Sequence, residues 1–424
     1  MTPSSTKPWW KSAIIYEVYV DKFADNFNGL TQKLDYLKLL GINCIHVLPH
    51  YPSPMIDDRY DISDYTGIRQ ELGTLEDFKI FAKSAHDLGI KVIVDFVLNH
   101  TSTQHLWFVE VSSSTTNNKR DYYFWSKTGT ELKKARNVFS NLKPSNWIYN
   151  KATDDYFFST FYPKQADLNW DNQEVFDEMT KIMDFWMDIG VDGFRLDAAS
   201  HIVKKEGTGS EDLPETHVLV KKIRAHIEKK RDDVVLVAEV NESIEKTKEY
   251  FGNGDECHLI YNFPVAGQVF LALINNKPKN LDQFIKTLKD IPKNCSWLNF
   301  LRHHDEMSLK TVSEKEREKL LQYFDPERKH LFGTKGISMR ITTMFKQNKE
   351  KIIESFKLLF SVLGAKVVYY GDEIGMENIE IPAEEKDTRK ALRGKFDWDS
   401  ANKQILDSES LFMSISNIIK NKKV

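Results

Sequence analysis

The chain has 424 residues, 41% hydrophobic and 29% charged, enough for one large domain or two to three smaller ones. A net charge of −3 gives no electrostatic case for nucleic acid or an anionic membrane surface, and no apolar run approaches membrane-span length. Three widely spaced cysteines, Cys44, Cys257 and Cys295, argue against a disulfide framework and make a reducing cytoplasm the expected setting; the opening MTPSSTKPWW has no apolar signal core.

Taken in chain order, short β-branched or aromatic runs alternate with helical patterns. AIIYEVYV from Ala13 reads as a strand and GLTQKLDYLKLLG as the helix after it. NCIHVLP from Asn43 is followed by TLEDFKIFAKSAHDLG, and KVIVDFVL from Lys91 by a long polar, aromatic-rich stretch from Thr101 to Trp170. Then come EVFDEMTKIMDFWMDIG, DGFRLD from Asp192, ETHVLVKKIRAHIEKK, VVLVAEV from Val234, LIYNFP from Leu259 and SWLNFLR from Ser296. KIIESFKLLFSVLG, AKVVYYG from Ala365 and a last helix near Ser408 to Lys422 complete the series. The helical runs carry apolar residues at i, i+3, i+4 and i+7, and several end in glycine.

Eight strands alternating with helices read as an α/β chain closed into a (β/α)8 TIM barrel, with a doubly wound open sheet as the alternative. The stretch 101–170 is too long for a crossover, so it is expected to form an inserted domain after the third strand. The barrel then comprises residues 1–100 and 171–424, with a second insert at about 307–347, rich in Lys, Arg and Glu, after the seventh strand.

In such a barrel the chemistry gathers at the C-terminal ends of the strands. The polar residues there are Asp95, Asn99 and His100, Arg195 and Asp197, Glu239, and His304 and Asp305. Arg195 and Asp197 lie two apart, so both point to one face of their strand. Buried charges are costly unless paired or used. A single aspartate at a strand end is more often a helix cap than a catalyst, and a lone Arg–Asp pair is usually structural. Glu239 closes an apolar strand that offers it no partner, and three carboxylates arriving from strands four, five and seven suit glycoside chemistry. One ionised carboxylate attacks the anomeric carbon, and a second, with raised pKa, protonates the leaving oxygen. An arginine beside the nucleophile is expected to keep it ionised. HHDE suggests a metal less well, because adjacent histidines on a strand or helix cannot face one ion and no HxH or HExxH spacing occurs.

The motifs DFVLNH (Asp95–His100), GFRLDAASH (Gly193–His201), VAEV (Val237–Val240) and RHHDE (Arg302–Glu306), in this order and spacing, resemble the α-amylase family of retaining glycoside hydrolases and transferases. QADLNW (Gln165–Trp170) resembles the short motif that closes this family's inserted domain B, and YGDEIGM (Tyr370–Met376) its eighth-strand stretch. HYPSPMIDDRYDISDYTGI, LNHTSTQHLWF, KKEGTGSEDLPETH, YFGNGDECHL and FLRHHDEMSL are most similar to its trehalose synthase branch, glucosyltransferases that isomerise maltose and trehalose. The resemblance implies Asp197 as nucleophile, Glu239 as general acid/base and Asp305 as the third carboxylate, gripping sugar hydroxyls. It implies His100, Arg195 and His304 around the glucose under attack, Tyr60 as a stacking ring and Asp57 at the non-reducing end. Arg389 and Arg393 correspond to two arginines of the α-glucosidase-like branch that close the pocket on the sugar. A retaining pair would place the Asp197 and Glu239 carboxyls ~5–5.5 Å apart.

On the same basis the expected activity is retaining glucosyl transfer on small α-glucosides, chiefly maltose to trehalose with some hydrolysis. An exo-acting α-glucosidase or sucrose hydrolase is the alternative, and a non-catalytic interaction protein a remote one. No cofactor is required for catalysis, and the partner is a small sugar. The family's first calcium loop is missing from YVDKFADNFNGL. Its second calcium site would use Asn99, Asp167 and the backbone near His201. Lys204, however, stands where the trehalose synthase branch tends to have an acidic ligand, so a calcium-free or weak site is expected. His201 itself, His303 in place of an asparagine, and ALRGKFDW also depart from the branch. The family's C-terminal β-sandwich has no counterpart before the chain stops, and a homodimer is one arrangement that would cover the surface it leaves.

Overall fold

A computed structural model of the chain describes residues 8–140, 142–277 and 279–421. Eight parallel strands form a closed barrel: β1 (Ile14–Val18), β2 (Cys44–Val47), β3 (Lys91–Val97), β4 (Gly193–Asp197), β5 (Val235–Ala238), β6 (Leu259–Tyr261), β7 (Ser296–Asn299) and β8 (Ala365–Tyr369). Each strand neighbours the next in chain order, and β8 returns to β1 with Tyr16 opposite Val368. This is the closed barrel expected from the strand–helix alternation. The strands are almost wholly buried on both faces, which is why they read as continuous apolar runs rather than as alternating ones.

The chain divides into two compact units. The first comprises Met1–Leu48, Ile80–Ile93 and Val240–Val424; the second comprises Pro49–Lys79 and Val94–Glu239.

In the second unit, the helix Gln173–Asp188 begins where the Asn172 side chain accepts a hydrogen bond from Glu174 N. It buries Val175, Met179, Met183 and Trp186, each side chain of this kind contributing about 1.5–3 kcal/mol of transfer free energy. Trp186 Nε1 donates to Tyr65 O at 2.7 Å, so its polar atom is not orphaned. Within the long connection after β3, His100–Ser102 pairs antiparallel with Gln165–Asp167, setting His100 opposite Asp167. A three-stranded sheet of Trp125–Ser126, Asp155–Phe158 and Trp147–Asn150 lies in the same stretch, its aromatic side chains packing Phe108 against Tyr123, Trp125 and Phe157.

In the first unit, the stretch after β7 carries the helix Glu314–Phe324, started by a reciprocal capping box between Ser313 and Glu316. Three short strands, Met307–Ser308, Gly336–Ile337 and Leu331–Phe332, form its sheet. The helix Phe263–Ile274 is apolar almost throughout, which hides the helical period that marks the others. The last helix runs Leu411–Asn421; Lys422, included in its expected span, lies outside the described residues.

Candidate active site

In the second unit, alternation along β4 sends Arg195 and Asp197 to one face, as their spacing implies. The Arg195 guanidinium then gathers three carboxylates. Nη1 lies 2.7 Å from Asp95 Oδ1 and 2.5 Å from Asp197 Oδ1, and Nη2 lies 3.0 Å from Glu239 Oε2. Asp95 sits inside β3 and is fully buried, so it anchors the arginine and does not reach solvent. Asp197 and Glu239 keep 14% and 19% of their side chains exposed, against 0% for Asp95 and 1% for Arg195. These two acids are therefore the ones of the four residues that a ligand can touch.

The chain supplies one more fixed donor. Ala198 follows the strand with φ 44° and ψ 44°, a left-handed conformation uncommon outside glycine. Its backbone N donates to Glu239 Oε2 at 2.9 Å. Glu239 thus has two partners, Arg195 and Ala198, although its own strand offers none.

Arg195 acts on Asp197 in the expected direction, favouring its ionised form, against opposing neighbours. Burial pushes the Asp197 carboxyl well above its usual range; Arg195 opposes this, but Glu239 and Asp95 add to the rise. One cation thus faces three carboxylates.

Tyr60 O–H donates to Asp95 Oδ2 at 3.3 Å, and Arg195 lies 5.8 Å from the Tyr60 ring centre. His100 Nε2 donates to Tyr60 O at 3.2 Å, which leaves Nδ1 to accept from Asn99 Nδ2, also at 3.2 Å. Burial pushes His100 down to about 4, so it is a neutral ring near pH 7. Asp57 is half-buried and accepts from Gln165 Nε2 at 2.8 Å.

Asn99 and Asp167, the residues expected around a calcium ion, converge on an ammonium group. Lys204 Nζ lies 2.7 Å from Asn99 Oδ1 and 2.9 Å from Asp167 Oδ2, and donates to His201 O as well. A second buried lysine, Lys143, donates to Asn146 Oδ1 at 2.7 Å and to Ser159 O; burial lowers it to about 8, with Asp167 working in the opposite direction. Three oxygens whose lone pairs already meet one cation, beside another, do not fit a divalent ion.

In the first unit, Asp305 stands among cations. Its Oδ1 lies 2.7 Å from Arg393 Nη2 and 3.2 Å from Arg389 Nη1, and its Oδ2 lies 3.3 Å from His304 Nε2. Burial would raise this carboxyl, but His304 and the two arginines outweigh it and hold it well below the usual range. Arg389 is itself braced by Asp387, at 2.7 Å, and by the Phe332 ring, 4.3 Å away. His303 packs edge-on against Phe263 and Phe300; burial pushes it down to about 3. It follows β7 in irregular backbone, so strand geometry does not separate it from His304. One nitrogen of each ring comes within 4.8 Å of a Glu17 carboxylate oxygen. Glu17 and His304 spend their facing atoms on each other, so the trio is not arranged around a metal.

Glu17 and His46, whose carboxylate and ring lie 3.2 Å apart, are among the residues that escaped sequence reasoning. Each sits inside a strand that reads as uniformly buried. A charged residue in an otherwise apolar run was the available signal.

The model of the α-amylase catalytic domain matches residues 18–406. Over 386 residues the chain is 39% identical to a trehalose synthase of Pimelobacter sp. (strain R48), covering 87% of this chain and 67% of that protein. Over 376 residues it is 41% identical to a trehalose synthase of Thermus thermophilus, covering 87% of this chain and 39% of that protein. A solved trehalulose synthase mutant in complex with Tris shares the fold with a TM-score of 0.79 at 24% identity, covering 98% of this chain and 84% of that one. The chain therefore spans between 39% and 67% of the length of the two trehalose synthases.

Proposed function

The chain belongs to the α-amylase family, and from that premise we propose that it is a retaining α-glucosyltransferase that converts maltose to trehalose, with hydrolysis as the side reaction. The observation that carries this reading is the single Arg195 guanidinium shared by Asp95, Asp197 and Glu239, of which the latter two are open to solvent. Likeness to two trehalose synthases at 39% and 41% identity supports the choice of substrate.

As the general acid, Glu239 protonates the glycosidic oxygen while an Asp197 oxygen attacks the anomeric carbon. The bond to the departing glucose breaks and a glucosyl ester of Asp197 forms. Glu239, now a carboxylate, takes the proton from the anomeric hydroxyl of the released glucose. That oxygen displaces Asp197 and gives an α,α-1,1 linkage. Water in the acceptor's place gives hydrolysis, so the product ratio follows how well the site excludes water. Asp305, held ionised by His304, Arg389 and Arg393, is assigned to the sugar hydroxyls, with Asp57, Tyr60 and His100 as further sugar contacts.

No metal has a part in this mechanism, and Lys204 serves in place of a cation beside Asn99 and Asp167. The three cysteines are buried and none forms a disulfide among the described residues, which suits a reducing compartment. Among the described residues, no helix is long and apolar enough to cross a membrane.

Incubation of the purified protein with maltose, sucrose and trehalose, with products resolved by chromatography, tests the reading. Trehalose from maltose is the expected product. Glucose alone would replace isomerisation by α-glucosidase action, and no turnover of any of the three would remove the reading.

A further inference from the structure

Resting on the reading above that His304 and Asp305 handle the sugar, we propose that Glu17 is a positioning residue. Its carboxylate, fixed by His46 and Tyr261, holds the His304 ring so that Nε2 presents a hydrogen to Asp305. The geometry is continuous within the first unit. Glu17 Oε2 lies 3.2 Å from His46 Nδ1 and accepts from Tyr261 O–H at 3.1 Å. Glu17 Oε1 accepts from His304 backbone N at 2.7 Å and lies 3.0 Å from His304 Nδ1. His304 Nε2 is 3.3 Å from Asp305 Oδ2. Glu17 and His304 are both fully buried.

Both ring nitrogens of His304 thus meet a carboxylate. A neutral imidazole has one N–H, so one of the two carboxylates would then face a lone pair. Only the imidazolium satisfies both. The fully buried Glu17 in turn needs a positive partner, since an uncompensated buried carboxylate is costly. Three further neighbours of His304 are not carboxylates: Tyr19 meets the ring edge-on at 6.0 Å, His303 likewise at 5.1 Å, and Arg393 Nε donates to His304 O at 3.3 Å. Burial opposes charge on His304, yet Asp305 and Glu17 lift it to about 10, while His304 and His46 hold Glu17 well below the usual carboxylate range.

Asp305 lifts His304 most and Glu17 next, and Asp305 also answers to Arg389 and Arg393 through Oδ1. Glu17 is the anion that keeps His304 a two-hydrogen donor, aligned and charged, across the working pH range. It touches no substrate in this role and acts through His304.

The test is the protonation state of His304, read from ring 15N signals of histidine-labelled full-length protein and assigned with His304→Asn. Both ring nitrogens of the wild type are expected to be protonated at pH 8. A neutral His304 in the wild type at pH 7 would overturn the proposal, and this arm needs no folded Glu17 variant. In Glu17→Gln, His304 is expected to titrate below pH 8. Maltose turnover should then fall about tenfold per pH unit above that value, where the wild type stays level, and Glu17→Asp should restore the level profile. An unchanged His304 titration in Glu17→Gln counts against the proposal. If maltose is not a substrate at all, the functional reading fails while the nitrogen signals still decide the role of Glu17.

Discussion

The two carboxylate clusters use the same residue types to opposite ends. Around Arg195, three carboxylates share one guanidinium, and the half-buried Asp197 is pushed upward. Around Asp305, one carboxylate meets His304, Arg389 and Arg393, and is pushed downward. Burial acts in the same direction on both, so the ratio of anions to cations decides the outcome. The first arrangement raises the proton affinity of Asp197; the second favours the ionised form of Asp305. Glu17 extends the contrast, because it spends a buried carboxylate on keeping a histidine charged.

The largest expected effect is on chemistry in the Arg195 cluster. Asp197→Asn and Glu239→Gln should each lower maltose turnover by on the order of 10²–10⁴-fold, measured as product formed per enzyme. Near-normal turnover in both variants would break the comparison at its root, since the Arg195 cluster would then have no catalytic use.

Next in size is stability at the ammonium beside Asp167. Lys204→Ala leaves buried oxygens without their cation, and a loss of roughly 3 kcal/mol in urea unfolding is expected. The wild type should unfold at the same urea concentration with EDTA as with calcium. A calcium-dependent midpoint in the wild type would show that the site takes an ion after all.

The smallest effect is also the most direct measure of the contrast. Asp197 has a raised folded pKa, so its contribution to stability is present below about pH 4 and is lost as pH rises through the folded value. Asp305 has a depressed one, so its contribution is present above about pH 4 and is lost as pH falls through the folded value. Between pH 4 and 7, Asp197→Asn should therefore gain stability relative to wild type, while Asp305→Asn should not, the difference being on the order of 1 kcal/mol in thermal unfolding. Parallel pH slopes for the two variants would show that the charge ratio does not govern them.

Much of the architecture could be read from local pattern. Runs such as KVIVDFVL and AKVVYYG are apolar because both faces of a barrel strand are covered, and the helical runs keep their period because one face stays wet. The helix Phe263–Ile274 defeated that logic, being apolar nearly all round. Asp197 and Arg195 stood out because two-residue spacing on a strand is a statement about direction that needs no tertiary information. Lys204 was noticed as a basic residue among oxygen donors, but its bonds to Asn99 and Asp167 close a separation of 105 residues in the first case and belong to the fold.

What the sequence determined by itself is therefore the set of strands, their order and the identity of the acids at their ends, because period and spacing are local properties of a chain. What only the tertiary structure decided is the direction in which the proton affinities of Asp197 and Asp305 are shifted. The partners that set it arrive from distant strands: Asp95 lies 100 residues from Arg195, and Glu17 lies 287 from His304. Proton affinity depends on burial and on the sum of nearby charges in three dimensions, and neither quantity exists until the chain has closed.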